Sequence, residues 1–414
     1  LPDAGHVLAA LTRADRTDLI SVSLSTGQRT LIEREVTSAR YLKSGYLLMS
    51  RSSSLLAAPF DPKKLQLLRQ PVPVVDAIAT IAPYQHALFA ASDDGTLVYA
   101  PGGSGGVRHA LVWVDRAGHP ATMPFPQQQY EEPRLSHDDN HLAITVRVSA
   151  ANADIWTADL KRNTLTRLTF DPVEEETPAW TPDDQRIAYA ATHGGTPSIY
   201  WRQADGTGSE QQIAAAHTPG EHLHVGSFSP DGRTLTYTNY TGASAADIWV
   251  MSLADHKART FVASPSNEGG PRFSPDGRFI AYTSNESGRD EVYVQSFPGP
   301  GGKWQISDSG GREPVWSPAG KEIFYRNGDN MMAVVVETGQ QFAARTPNLL
   351  FTGHFVPFRR SEAGYDVNGD GTKFLMVQRD PGSVPKELFV VIDWVDEVTR
   401  RLGHADSETR SPPN

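Results

Sequence analysis

Short runs in which apolar and polar residues alternate recur along most of the chain, each cut off by a cluster of Pro, Asp and Gly. Alternation with a period of two is the mark of a half-buried strand, and such punctuation is the mark of turns. Four runs are near copies of one another: FSPDGRTLTYTNY from Phe228, FSPDGRFIAYTSN from Phe273, WTPDDQRIAYAAT from Trp180 and WSPAGKEIFYRNG from Trp316. Their prolines, Pro182, Pro230, Pro275 and Pro318, stand 48, 45 and 43 residues apart. A strand-rich repeat with a period in the forties predicts a propeller. Each unit starts with an apolar strand and a Ser/Thr-Pro-Asp-Gly turn, in which Pro presets φ and Asp-Gly reverses the chain. An alternating strand follows, then a third strand opened by an acid, as in Asp154-Ile155-Trp156, Asp247-Ile248-Trp249 and Glu291-Val292-Tyr293. A more polar fourth strand, such as Lys303 to Ser307, completes a four-stranded antiparallel blade.

Degenerate copies extend the pattern in both directions. Asp93-Asp94-Gly95 precedes Thr96 to Tyr99, Ser136-His137-Asp138 precedes Leu142 to Ile144, and Ser44-Gly45 precedes Tyr46 to Met49. Seven complete units fit between about Thr37 and Val356, with three strands left over at each end. The expectation is an all-β fold, a β-propeller of four-stranded antiparallel blades. Eight blades are the preferred count, with the ragged ends combining into one of them; seven and nine stay open. The domain reading is one propeller over 1–396 followed by a short helix or disordered polar tail over 397–414.

Composition narrows the class of partner. The 414 residues carry a net charge of −10, which disfavours sequence-independent nucleic-acid binding, because that needs clustered Lys and Arg. A hydrophobic content of 39% suffices for packing between blades, and 35 Gly with 30 Pro suit a fold with many turns. The longest apolar run, Leu388 to Val395, is interrupted by Asp393, so no membrane insertion by this segment is expected. The absence of Cys excludes disulfides, Cys-ligated zinc and thiol chemistry. The chain begins at Leu1 without a signal segment, and the expectation is that something upstream has been removed.

Three local motifs invite a chemical reading. Gly102-Gly103-Ser104-Gly105-Gly106 has the letters of a nucleophile elbow, but strands flank it where the mechanism needs a strand-to-helix turn, so a loop is expected. Asp366-Val367-Asn368-Gly369-Asp370-Gly371 resembles a calcium loop, yet Val377 stands at the twelfth position, where a bidentate Glu is required. The same residues align with the blade turn, which is the preferred reading. His222-Leu223-His224 could present two imidazoles to a metal, but no third ligand is identifiable. No metal and no cofactor are therefore assigned.

Acids also recur at the starts of the innermost strands. Glu132, Glu176, Glu221, Glu268 and Glu313 occupy similar places, with Arg134, Arg272 and Arg312 near them and His222 beside Glu221. If these strands line the channel, the nine residues are candidates for a ligand-binding mouth. The competing reading is structural, with each Glu bonded to the adjacent blade or to an Arg, and recurrence with the period favours it. The acids opening the third strands, Asp154, Asp247, Glu291 and Glu387, are read as turn caps.

At the turns beginning Ser229-Pro230-Asp231-Gly232 and Ser274-Pro275-Asp276-Gly277, the chain resembles the PD40 repeats of TolB-like propellers, and the resemblance covers nearly the whole chain, from Leu1 to about Trp394. The stretch NEGGPRFSPDGRFIAYTSNESGRDEVYVQSFPGPGGKWQIS from Asn267, with EPVWSPAGKEIFYRNGDNMMAV from Glu313, is also similar to the C-terminal propeller of bacterial eukaryotic-like serine/threonine kinases. The resemblance implies a sensing or interaction module, a protein or peptide partner, and an extracytoplasmic or cell-envelope location. No glycine-rich nucleotide loop, H-R-D or D-F-G is present, so no kinase activity is expected. The first reading is thus a non-catalytic binding propeller that takes a protein, peptide or small ligand through its loops and channel mouth. The alternatives are a hydrolase or lyase using channel-mouth Glu and His, and a structural protein that self-assembles through unclosed end strands.

Overall fold

The computed structural model describes residues 1–2, 5–12, 17–51, 53–76, 78–81, 86–93, 95–101, 108–149, 152–216, 218, 220–241, 246–299, 301–339, 341–356, 362–380, 387–396 and 398–399. The Gly102–Gly106 segment and the tail from 401 lie outside the described residues; residues 394–396 and 398–399 are helical. Among the described residues no helix is long and apolar enough to cross a membrane. The fold is all-β, and its contacts divide it into two compact units. Unit 1 comprises 1–108, 149–151 and 380–414; unit 2 comprises 109–148 and 152–379.

Unit 1 holds short sheets. His6–Thr12, Thr17–Ser23 and Arg29–Glu33 form one, and Ser38–Tyr41, Tyr46–Arg51, Ser54–Asp61 and Gln66–Leu67 form another, to which Val72–Val75 adds. Leu97–Tyr99 pairs with both Phe89–Ala91 and Phe389–Val391. Leu42, Leu48, Leu55, Leu97 and Trp394 share one core.

Among the described residues, unit 2 holds six sheets. Blade one is Tyr130–Leu135, His141–Ser149, Asn152–Asp159 and Thr164–Arg167; blade two is Glu175–Trp180, Arg186–His193, Thr196–Gln203 and Gln211–Ala215. Blade three is Glu221–Phe228, Thr234–Thr241, Ala246–Ser252 and Ala258–Val262; blade four is Glu268–Phe273, Phe279–Ser284, Glu291–Ser296 and Lys303–Gln305. Blade five is Arg312–Trp316, Glu322–Asn327 and Asn330–Thr338, with Phe342–Ala344 and Asn348–Thr352 both on its third strand. Blade six joins distant parts of the chain: Tyr365–Val367 and Lys373–Arg379 pair with His109–Asp115 and Pro120–Thr122, with Val112 opposite Met376.

Hydrogen bonds join every successive pair of these blades. Thr177 N donates to Glu132 Oε2 at 2.6 Å, Val225 N to Thr177 Oγ1 at 3.0 Å, and Phe273 N to Ser227 Oγ at 2.8 Å. Trp316 Nε1 donates to the Arg272 carbonyl at 3.1 Å, Gly364 N to Glu313 Oε2 at 2.9 Å, and Leu135 N to Asp366 Oδ2 at 2.8 Å, which returns to blade one. Unit 2 is thus a closed six-bladed ring. This corrects the expected single ring of eight over 1–396. The C-terminal strands Tyr365–Val367 and Lys373–Arg379 do combine with earlier ones, but the partners are residues 109–122 rather than the N-terminal strands, because ring closure after six sheets leaves no place for more. The C-terminal strands, the pair of blade six and Phe389–Val391, find partners within the chain, whereas the N-terminal strands His6–Thr12, Thr17–Ser23 and Arg29–Glu33 form a three-stranded sheet of their own.

The repeated turns close as expected. Ser229 Oγ donates to Asp231 Oδ1 at 2.6 Å, Gly232 N donates to the Ser229 carbonyl at 2.9 Å, and Ser274, Thr181 and Ser136 repeat the side-chain bond. Asp366 to Gly371 is another such turn: Gly371 N reaches the Asn368 carbonyl at 2.8 Å, and Asn368 and Asp370 accept from the Thr372 amide. The acids opening the third strands do more than cap turns. Asp154 is buried and accepts from Arg167 at 2.6 Å, and Glu291 accepts from Ser307, the Gly310 amide and Arg289, so both tie the third strand to residues at or just past the end of the fourth.

Candidate functional site

The inner strands of unit 2 converge on a cavity of about 390 Å³ lined by residues of all six blades. Its wall comes from one register position, the residue before each turn: Leu135, Trp180, Phe228, Phe273, Trp316 and Val367. Pro182, Pro230, Pro275 and Pro318 of the turns form its rim. The collar is therefore a product of the repeat, since an inner strand ending in an aromatic residue and Ser/Thr-Pro delivers both groups in four of the blades, while Leu135 and Val367 fill the wall in the other two. Apolar walls with few polar groups are the usual make-up of a ligand pocket.

The lining also includes Arg134 and Arg272 with Asp366 and Asp139. The two acids are committed to backbone amides, Asp366 to Leu135 N and Val367 N, and Asp139 to Gly369 N. Arg134 donates to the carbonyls of Pro133 and Ala363, both at 2.7 Å. Arg134 Nε and Arg272 Nη2 have no hydrogen-bond partner among the described residues. Burial first, and the Arg134 guanidinium next, push the Arg272 side chain below its ordinary value. Arginine stays charged at neutral pH all the same, and the Asp366 and Glu362 carboxylates act on it from nearby.

Beside it is a buried polar cluster. His224, fully buried on blade three, lies 3.0 Å from Glu176 Oε1 and 3.1 Å from Glu362 Oε1, and the Tyr240 hydroxyl donates to Glu362 at 3.3 Å. Burial opposes a charge on His224, but the Glu362 and Glu176 carboxylates outweigh it and raise the imidazole to about 10. Glu132 is raised to about 8, by burial first and by the Glu176 charge next.

The nine sequence candidates thus separate. Arg134 and Arg272 line the cavity, and Glu132 and Glu176 belong to the adjoining cluster. Glu313 is buried, with Oε2 on the Gly364 amide and its carbonyl accepting from the Tyr365 hydroxyl at 3.0 Å. Glu268 is buried on the hydroxyls of Ser264 at 2.6 Å and Ser284 at 3.1 Å, and Glu221 accepts from Thr218 at 2.7 Å. Arg312 is exposed and paired with Asp290 at 2.6 Å. His222 is exposed while His224 is fully buried, so the His222-Leu223-His224 pair does not face one ligand. The glutamates do not line the cavity: Glu132 and Glu313 bind the next blade's backbone and Glu268 Oε1 accepts from two hydroxyls. Sequence reasoning missed the aromatic collar, although the aromatic before each Ser/Thr-Pro was visible, and it missed Glu362, which carries no repeat signature.

Comparison with known proteins agrees with this fold. Residues 207–353 match the family described as the TolB beta propeller domain, PD40. The Tol-Pal system protein TolB of Bordetella pertussis is 25% identical over 223 residues, 50% of this chain and 49% of that protein. The uncharacterized peptidase YuxL of Bacillus subtilis is 23% identical over 183 residues, 44% of this chain and 26% of that one. The chain therefore spans between a quarter and a half of the length of these curated relatives. Among solved structures, a putative TolB from Agrobacterium tumefaciens superposes with a TM-score of 0.52 at 19% identity, covering 67% of this chain and 100% of the other. Residues 207–353 thus match the TolB beta propeller family, and the fold is that of a β-propeller.

Proposed function

We propose that the protein is a non-catalytic binding module whose unit 2 cavity takes a peptide segment of a protein partner, an apolar side chain against the collar and a carboxylate toward Arg272. The observation that carries this reading is the pairing of an aromatic and proline wall with an arginine whose Nη2 lacks a partner. A carboxylate held by guanidinium in a partly dry site gains charge-assisted hydrogen bonds, and apolar lining supplies the remaining affinity. The TolB relatives support a binding role. The enzyme alternative draws on Glu132, Glu176, Glu268, Glu313 and His222; of these Glu132, Glu176 and Glu313 are engaged with the next blade, and Glu268 accepts from the Ser264 and Ser284 hydroxyls. The similarity of the stretch from Asn267 to kinase-borne propellers supports a place beside a kinase, and with it an extracytoplasmic or envelope setting.

The test is selection of peptides from a random displayed library on the whole chain. Peptides with Asp, Glu or a free C-terminus next to an apolar residue should be enriched, and their affinity should fall about tenfold or more in Arg272→Met, which keeps the stem and removes the charge. Enrichment without that composition, or affinity indifferent to Arg272→Met and Trp316→Leu, would sink the proposal.

A further inference from the structure

At the far end of blade two's inner strand from the cavity, four titratable side chains meet. Asp171 precedes the strand, Glu175 opens it, His193 ends the neighbouring strand, and Glu210 precedes the outermost one. Glu175 and Trp180 are five residues apart, so this cluster and the collar are separated by roughly 17 Å of extended chain. One ligand atom from each of the four residues lies within 4.8 Å of the others.

The geometry around the imidazole is directional. His193 Nδ1 lies 3.1 Å from Glu210 Oε1, and the Tyr189 hydroxyl donates to the other oxygen of Glu210 at 2.5 Å. The ring is also held by stacking on Tyr200, with centroids 4.6 Å apart. With Nδ1 serving Glu210, Nε2 points at Asp171 Oδ2, 3.7 Å away, and Glu175 Oε1, 3.6 Å away. Neither distance is a hydrogen bond, and Nε2 is buried without a partner among the described residues. Glu175 is 1% exposed; the Thr169 hydroxyl reaches its carboxyl, yet its Oε2 has no hydrogen bond among the described residues. A buried carboxylate left part-satisfied next to a buried, unpartnered imidazole nitrogen is costly unless something else engages both.

A divalent ion fits that requirement. Donor atoms 3.6 to 3.7 Å apart subtend an angle of about 120° at a metal roughly 2.1 Å from each, the ordinary bond length for His nitrogen and carboxylate oxygen. A carboxylate on the far nitrogen of a ligating His is the usual outer partner, which fixes the tautomer and the ring plane. We propose that His193 Nε2, Asp171 and Glu175 form a binding site for a first-row divalent transition ion, with Glu210 as the positioning residue behind His193. One imidazole among carboxylates suits Mn²⁺ or Zn²⁺ better than Ca²⁺ or Mg²⁺, which favour oxygen ligands throughout. Because Asp171 lies in a connection and Glu210 in another, an ion here clamps two loops of blade two to its strands at the opposite end from the peptide cavity. The proposal is independent of what that cavity binds.

The experiment uses the full chain, stripped with chelator and titrated with Mn²⁺ while the free ion is followed by electron paramagnetic resonance, with Zn²⁺ and Ca²⁺ as competitors. One Mn²⁺ per chain is expected, displaced by Zn²⁺ and only weakly by Ca²⁺. Glu175→Gln and Asp171→Asn should each weaken binding about a hundredfold, and Glu210→Gln about tenfold or more. His222→Ala should change nothing. Asp171 is exposed, so Asp171→Asn keeps the fold and decides the matter if Glu175→Gln unfolds. The idea is overturned if no Mn²⁺ or Zn²⁺ binds at high micromolar concentration, or if Asp171→Asn binds as wild type does. Ca²⁺ binding as tightly as Mn²⁺ would overturn the assigned class of ion.

Discussion

At the end of every inner strand of unit 2 a turn takes its fourth residue into the left-handed region, and a few residues earlier a bulge in the same strand does so again at four of the blades. In the turns the residue is Gly at 232, 277, 320 and 371, and Asp at 139 and 184, with φ between 54° and 71°. In the bulges it is Glu132, Thr177, Gly270 and Glu313, with φ between 52° and 64°. The backbone demand is the same, but the answers differ. A turn is satisfied within its own residues, so the cheapest left-handed residue suffices. A bulge leaves an unpaired residue, and Glu132, Thr177 and Glu313 turn that residue's side chain toward a backbone amide of the next blade. For Thr, a β-branched residue, a positive φ is a genuine strain that persists only because its surroundings hold it. The turns therefore make the blades, and the bulges make the ring.

The sharpest way to break this comparison is at the third blade's bulge, where the register shifts between Val225 and Phe228 and Gly226 stands without a side chain. A Cβ at Gly226 would lie 2.6 Å from the Pro271 carbonyl oxygen, from Pro271 Cγ and from Thr236 Oγ1. Backbone of the next blade cannot yield without moving blade four, so Gly226→Ala should cost about 3 kcal/mol or more. Urea denaturation measures it; a loss under about 1 kcal/mol would mean that the blade junction is far softer than close packing implies.

A smaller effect, with a pH signature, is expected at Glu132. Its Oε2 accepts from Thr177 N and from Thr145 Oγ1 at 2.9 Å, so Glu132→Ala strands a buried amide and should cost about 2 kcal/mol. Burial, with Glu176 next, raises the folded carboxyl from 4.5 to about 8. The unfolded chain then releases this proton at lower pH than the folded one, so Glu132 contributes a decline in stability as pH rises from about 4.5 to about 8. Glu132→Gln keeps the acceptor and has no proton to lose. It should retain most of the stability and flatten that part of the profile in melts between pH 5 and 8. A wild-type profile that Glu132→Gln leaves unchanged would place the titration elsewhere.

The two kinds of position were not equally legible in the sequence. The turn chemistry is written in consecutive residues, Ser229 to Gly232 for example, so strands and their order within a blade could be read directly. The recurring Glu at the inner strands was visible too, and its structural reading describes Glu132 and Glu313 well. What could not be read was the partner, because Thr177 and Gly364 lie 45 and 51 residues from the side chains they bind. The blade count failed for a related reason: blade six is assembled from residues 109–122 and 365–379, and nothing local distinguishes that closing pair from the weaker repeats before Tyr99. His224 and Glu362 are likewise brought together only by the ring.

The smallest expected effect concerns the two turns in which Asp stands where the others have Gly. Asp184 has a φ of 54°, and its carboxylate accepts from the His137 amide at 3.0 Å and meets His137 Nδ1 at 2.7 Å on the preceding blade. Here a turn residue has borrowed the bulges' device and reaches across to its neighbour. Asp184→Ala loses that contact and keeps the left-handed strain, and should cost about 1 kcal/mol. Asp184→Gly loses the same contact but relieves the strain, and should fall within about 0.5 kcal/mol of wild type, because an exposed charge contact is worth little. If Gly and Ala cost the same, the contact between turns carries the stability and the backbone does not. The turns would then belong with the bulges as part of the ring, and the division between local and inter-blade chemistry would hold only for the four turns that already have Gly.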